Sequence, residues 1–147
     1  MRRSIPELTR ALSSGADVNE VDREGRTPLF YATRDGSKEL AAELIRNGAN
    51  VNAQDKALET PLHFAAREFR PEVAELLLKS GAAVDSQDAH GNTPLSRAVF
   101  DSRGRGELIT MLLAHGADKL LKNKHGMSPE RLAKSIANYD VARLLGD

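Results

Sequence analysis

Four histidines, His63, His90, His115 and His125, are the side chains best suited to move protons or hold a metal near neutral pH. No two of them stand four residues apart, so no helix presents a paired imidazole set to a zinc ion. Cysteine is absent, which removes thiolate nucleophiles, thiolate zinc sites and disulfides together. Serines and carboxylates are plentiful, yet no Gly-x-Ser-x-Gly elbow, Glu-His metal motif or phosphate-cradling glycine loop occurs. The nearest approach is Ser102-Arg103-Gly104-Arg105-Gly106, which follows a helical pattern rather than a strand and lacks a Lys-Ser/Thr ending. Its two arginines have three readings: a grip on an anion, a contact with acidic side chains of a partner, or a solvated insertion. No catalytic residue, metal or cofactor is assigned.

Composition points away from several other classes. The 147 residues suffice for one domain, taken as 1–147. Lys plus Arg (21) balance Asp plus Glu (21), so the basic excess of a non-specific nucleic-acid binder is missing and nucleic acid is not an expected partner. No apolar run approaches the roughly 18 residues needed to cross a bilayer, and Met1-Arg2-Arg3 leads into a polar helix rather than a signal core. We expect a soluble, intracellular, cytoplasmic chain that avoids membranes and is a monomer when unbound. Trp is absent and aromatics are 4% of residues, so the core must be aliphatic and alanine-rich, which favours helix on helix.

The elements follow from one offset. Thr27-Pro28-Leu29 recurs as Thr60-Pro61-Leu62 and Thr93-Pro94-Leu95, with differences (60−27, 93−60) of 33. Ser128-Pro129 follows 35 residues later (128−93), and Gly15, Gly48, Gly81 and Gly116, each before Ala, repeat the same intervals. Both markers place a two-residue insertion within Ser102 to Gly106. In each copy the hydroxyl before Pro caps orphan N–H groups, and Pro occupies the first helical position, where its missing N–H costs nothing. A short inner helix such as Leu62 to Glu68 carries Ala65 and Ala66 where the next helix comes close. The outer helix buries a stripe, Val73, Leu76 and Leu77, and ends at Gly81, which takes the left-handed conformation cheaply. Ala83-Val84-Asp85 and Asp88-Ala89-His90-Gly91 then form a hairpin-like finger leading to the next Thr-Pro.

On these residues the chain resembles the ankyrin-repeat family, whose signature is a 33-residue unit with Thr-Pro-Leu-His-x-Ala. The closest copy is Thr60-Pro61-Leu62-His63-Phe64-Ala65-Ala66, ending in Leu76-Leu77-Leu78-Lys79-Ser80-Gly81-Ala82, and Gly48-Ala49-Asn50-Val51-Asn52-Ala53 matches the finger motif. The resemblance implies an all-α repeat fold: an ankyrin solenoid of helix-turn-helix units joined by β-hairpin-like fingers. It divides the chain into a half repeat (1–21), repeats at 22–54, 55–87 and 88–122, and a C-terminal capping repeat (123–147). It also implies that His63 bonds neighbouring loop backbone.

Departures mark where this member is its own. Residues Ile5 to Leu12 align with an outer helix only, read as an N-terminal cap or a trimmed start. Glu130 replaces an apolar residue in the last copy, as suits a terminal cap. Leu58 stands where the other fingers carry Gly25, Gly91 and Gly126; the finger is therefore strained at positive φ, or relaxed with Leu58 tucked against its neighbour. Lys119 replaces Val18, Val51 and Val84, so the last finger is expected to pair differently.

Because copies stack one helix spacing apart, a position repeated every 33 residues becomes a column on one face. After the paired Ala positions come Arg34 and Asp35, Arg67 and Glu68, Phe100 and Asp101. The family's variable motif position holds Tyr31, Phe64, Arg97 and Leu132, and in that family it borders the concave groove. Tyr31 and Phe64 either face a partner or seal the seam between helices, whereas Phe69 and Phe100 lie in or beside turns and are harder to bury. Finger residues Arg23, Glu24, Arg26, Lys56, Leu58, Glu59, His90 and Asn92, with Arg103 and Arg105, complete the candidate surface.

A charged rim around scattered apolar anchors suits a folded protein partner, and stacked repeats enclose no deep pocket. The expected function is a non-enzymatic protein-binding module. The run Gly126-Met127-Ser128-Pro129 to Val141 is similar to compact bacterial ankyrin proteins, which extends the expectation to an immunity protein covering a toxin's active cleft. The alternative is an anion or small-ligand sensor, or an enzyme's regulatory subunit, using the Arg103–Arg105 loop. A consensus-designed binder fits poorly, since Leu58, Lys119 and the insertion are features a consensus erases.

Overall fold

The computed structural model describes residues 5–136 and 139–146. Met1-Arg2-Arg3, and Ala137-Asn138 in the C-terminal run, lie outside the described residues. The elements are α1 (Ile5–Ser13), α2 (Pro28–Asp35), α3 (Lys38–Arg46), α4 (Pro61–Arg67), α5 (Pro71–Lys79), α6 (Pro94–Phe100), α7 (Glu107–Ala114), α8 (Pro129–Ser135) and α9 (Tyr139–Leu144), with no strand among the described residues. Inner helices α2, α4, α6 and α8 touch in sequence, as do outer helices α1, α3, α5 and α7, and each inner helix packs on its own outer one.

The core is the seam between these two layers. Leu29, Leu62 and Leu95 on the inner side meet Leu44, Leu77, Leu112 and Leu145 on the outer, all essentially inaccessible. Burying such a side chain contributes about 2 kcal/mol, and the 33-residue period makes that contribution recur along the array. Ala32, Ala65, Ala66, Ala98 and Ala133 keep inner helices close enough for their neighbours to pack.

The inner-helix starts follow the capping logic with one departure. Thr60, Thr93 and Ser128 hydroxyls accept the amides of His63, Ser96 and Arg131. Thr27 makes no such bond, and its buried hydroxyl oxygen has no hydrogen-bond partner.

Each finger is a loop organised by one side chain. Asp22, Asp55, Asp88 and Asn123 each accept two backbone amides two and four residues on. The fingers are then stitched together: Lys56 N–H donates to Glu24 O, Ala89 to Ala57 and Lys124 to His90, at 2.9–3.0 Å. A second row at the finger base runs through Asn19, whose amide donates to Gly48 O while its oxygen accepts the Asn50 amide. Asn52 repeats both bonds with Gly81 and Ala83. Asp85, next in the column, has no amide to donate and only accepts the Asp118 amide.

The two anomalies resolve differently from each other. Leu58 keeps the glycine conformation (φ 59) and the same tip bond, Leu58 N–H to Asp55 O at 2.9 Å, while remaining 44% exposed. The relaxed, tucked alternative is thus excluded and the finger is strained. The last finger keeps the tip bond of the others, Gly126 N–H to Asn123 O at 3.0 Å, but pairs differently at its base, as expected: Glu130 N–H donates to Lys119 O at 3.0 Å, with no counterpart at Val18, Val51 or Val84 among the described residues. The Lys119 ammonium also donates to Leu145 O at 2.8 Å, capping the end of α9.

Candidate functional site

The face made by the inner helices and fingers divides into a self-satisfied half and an open half. In the first, the Tyr31 hydroxyl donates to Asp22, and the Arg34 guanidinium lies 4.8 Å from the Tyr31 ring centroid and 3.5 Å from Asp35. That hydroxyl holds the Asp22 carboxyl below its ordinary range, and the carboxylate in turn raises the Tyr31 phenol. Arg26 pairs with Asp55 at 3.2 Å, and Arg67 donates to both oxygens of Glu59 at 3.1 and 3.2 Å. Both arginines flank the Phe64 ring, at 4.9 and 4.5 Å, while Phe30 meets it edge-on at 5.1 Å.

Two sequence-based candidates are corrected by this packing. Phe64 is 1% exposed, so it seals the seam between helices and is closed to a partner. Glu59 is 7% exposed, a depth at which a carboxylate must be paired, and Arg67 is its pair. Arg26 and Arg67 are engaged within the chain, and Asn92 is engaged through its backbone and side-chain oxygens with His63 and Asn123. His63 donates Nε2–H to Asn92 O at 2.8 Å, with Nδ1 accepting from Thr60; burial lowers its pKa and keeps it neutral. It is a clasp between α4 and the next finger rather than a proton carrier.

Repeat 3 inverts the pattern. Arg97 occupies the Phe64 position, Phe100 the Arg67 position and Asn92 the Glu59 position. The aromatic is therefore outside, 62% exposed, and the arginine is half-buried, its Nε and the Asp101 Oδ2 buried without hydrogen-bond partners. Burial raises the Asp101 carboxyl, against the pull of Arg97 and Arg67. Arg103 is exposed beside this cluster at φ 50.

The insertion is fastened to repeat 2. Phe69 holds a left-handed backbone (φ 53) where Gly36 ended α2, and the Arg105 guanidinium stacks 3.8 Å from its ring centroid. Arg70, one repeat earlier in the same position, lies against Gly36 and donates Nε–H to Arg34 O at 3.0 Å. Phe69 is thus half-buried as a platform, which its place in a turn did not reveal. Arg105 also donates to Ser102 O at 3.3 Å, so the two arginines of the loop do not act as a pair.

Arg23, Lys56, Leu58 and His90 stand exposed on the fingers, and Glu68 is exposed on the inner edge. Among the described residues no group of three or more His, Asp or Glu is arranged to hold a metal. Away from this face, at the C-terminal end of the array, a shallow groove of about 420 Å³ lies between Leu113, Leu120, Leu144 and Leu145. Sequence reading missed Leu120 and Leu144, which are 57% and 41% exposed; Leu120 standing in the column of Asn19, Asn52 and Asp85 was the available signal. Among the described residues no helix is long and apolar enough to cross a membrane.

A family model of ankyrin repeats, three copies long, matches residues 2–88 and again 43–123. The chain belongs to the ankyrin-repeat family. Comparison with curated proteins returned no match. Ankyrin repeats are in general protein–protein interaction modules, and their proteins are typically non-enzymatic. The last repeat lies almost wholly beyond the matched residues, whereas Lys119, which caps its final helix, lies within them.

Proposed function

We propose that this ankyrin-repeat protein binds a folded protein partner through repeat 3 of the inner-helix face and the adjoining finger tips, and carries out no chemistry itself. The observation that carries the reading is Phe100, a large apolar side chain left 62% exposed on a face whose other aromatics are sealed or stacked. Exposed aromatics beside arginine are the side chains that dominate interface energetics. Leu58, held outward at a strained backbone position, supplies a second anchor. Arg34, Glu68, Arg103 and the finger charges form the polar rim.

A module of this kind acts by occlusion, and its finer form is an inhibitor or immunity protein that covers a toxin's active cleft. Affinity purification with the intact chain, followed by amide hydrogen exchange on the recovered complex, tests the surface. Protection is expected on α4, α6 and the fingers; protection confined to α3, α5 and α7 places the interface elsewhere and refutes the reading. Co-expression with a genomically neighbouring toxin tests the finer form: protection and a stable complex support it, and their absence removes it.

A further inference from the structure

We propose that the Ser102–Gly106 insertion is a proteolytic processing site, with Arg103–Gly104 the bond cut by an arginine-directed endoprotease. The chain carries 21 Lys and Arg, so such a protease has many bonds on offer, and geometry withdraws most of them. Arg10, Arg34, Lys38, Arg46, Lys79 and Arg143, like others on the helices, sit in hydrogen-bonded turns that must unwind before an active site can accept them as extended chain. Arg70 precedes Pro71, whose ring blocks the bond. Arg23, Lys56, Lys122 and Lys124 are on fingers whose backbones are tied both within the loop and to a neighbouring finger.

The insertion alone among the described loops combines exposure, a basic residue and backbone bonds that are all local. Its backbone bonds are Arg105 N–H to Ser102 O at 2.8 Å and Gly104 N–H to the Ser102 hydroxyl at 3.4 Å, and none reaches another repeat. Arg103 and Arg105 are exposed, and Arg103 and Gly104 both hold positive φ, 50 and 83, so opening the loop relieves strain at the non-glycine residue. The helix that follows, α7, has Gly106 at its N-cap with no side-chain cap bond and no Pro, unlike α4, α6 and α8, so no side chain ties the end of the loop to the helix start. Exposed loops of small and polar residues are where nicking concentrates.

The Arg105 stack on Phe69 is the restraint on this opening. Hydrolysis consumes one water: hydroxide adds to the Arg103 carbonyl carbon, the C–N bond breaks, and the Gly104 nitrogen leaves with the proton. The nick breaks the chain between Arg103 and α7 while α6 still packs on α7 and α8, so the array holds, and on the protein-binding reading it loosens the Asp101–Arg103 segment beside the Phe100 anchor.

Limited digestion of the intact native chain with trypsin, followed by mass spectrometry, tests the assignment whatever the partner proves to be. The first cut between residues 10 and 143 is expected after Arg103, yielding 1–103 and 104–147. The double variant R103Q/R105Q is expected to survive at least ten times longer as intact chain, and R105Q alone to be cut after Arg103 several-fold faster than the parent. A first cut in a finger, or a double variant consumed at the parental rate, overturns the site; an R105Q rate no faster than the parent overturns the restraint.

Discussion

At Leu58 a single side chain records a conflict between backbone and surface. Its left-handed conformation costs about 1 kcal/mol for a non-glycine residue, and the side chain recovers little by burial because it stays 44% exposed. Leu58→Gly is therefore expected to stabilise the fold by about 1 kcal/mol in urea denaturation; an unchanged or lowered midpoint contradicts the strain. His63 has the opposite character, a residue whose exposure to solvent is nil and whose bonds are all made. Burial puts its folded pKa below the unfolded value of 6.5, so its contribution is complete above about pH 6.5. As pH falls below that value the unfolded chain takes up a proton the folded chain resists, and stability drops. Asp22 and Glu75, whose pKa values are lowered, lose their contributions only below about pH 4, and Asp101, raised by burial, has the reverse sign. Urea midpoints at pH 7.5 and 5 should differ in the parent and draw together in His63→Phe, which installs the residue that repeat 1 already carries at this position, Phe30. The motif residues were legible because type and spacing specify them. Glu59 and Phe64 were not, since their burial depends on Arg67 and Arg26, charges placed by other elements.

At the scale of elements, repeats are joined by bonds that the period alone does not predict. Asn19 and Asn52 each donate to one carbonyl and accept one amide in the following repeat, whereas Asp85 only accepts. Asp85→Asn restores the donor opposite Gly116 O and removes a carboxylate facing Asp118. A gain of roughly 0.5–1.5 kcal/mol is expected, the usual net worth of one hydrogen bond, with slower amide exchange at residues 116–121. No gain, with exchange unchanged, shows that the base of the third interface is already satisfied. The fingers' positions were legible from the Gly-Ala markers, and so was the place of the insertion. What the sequence left open was that Arg105 fastens the insertion to Phe69: a stack between residues 36 apart has no local signature.

Over the whole molecule, equivalent positions line up, so each substitution in a column is read against its neighbours. In repeats 1 and 2 Arg26 and Arg67 are paired with Asp55 and Glu59 around a sealed phenylalanine; repeat 3 half-buries an arginine and places a phenylalanine outside. An exposed anchor of this kind contributes to a complex and little to the free fold, so stability and binding separate on its removal. The decisive measurement is the affinity of Phe100→Ala for the partner recovered with the intact chain, alongside Lys79→Ala on an outer helix as control. The account predicts at least tenfold weaker binding for the first, about 1.4 kcal/mol, with an unchanged melting temperature, and parental affinity for the second. Parental affinity for Phe100→Ala together with loss in Lys79→Ala would contradict it.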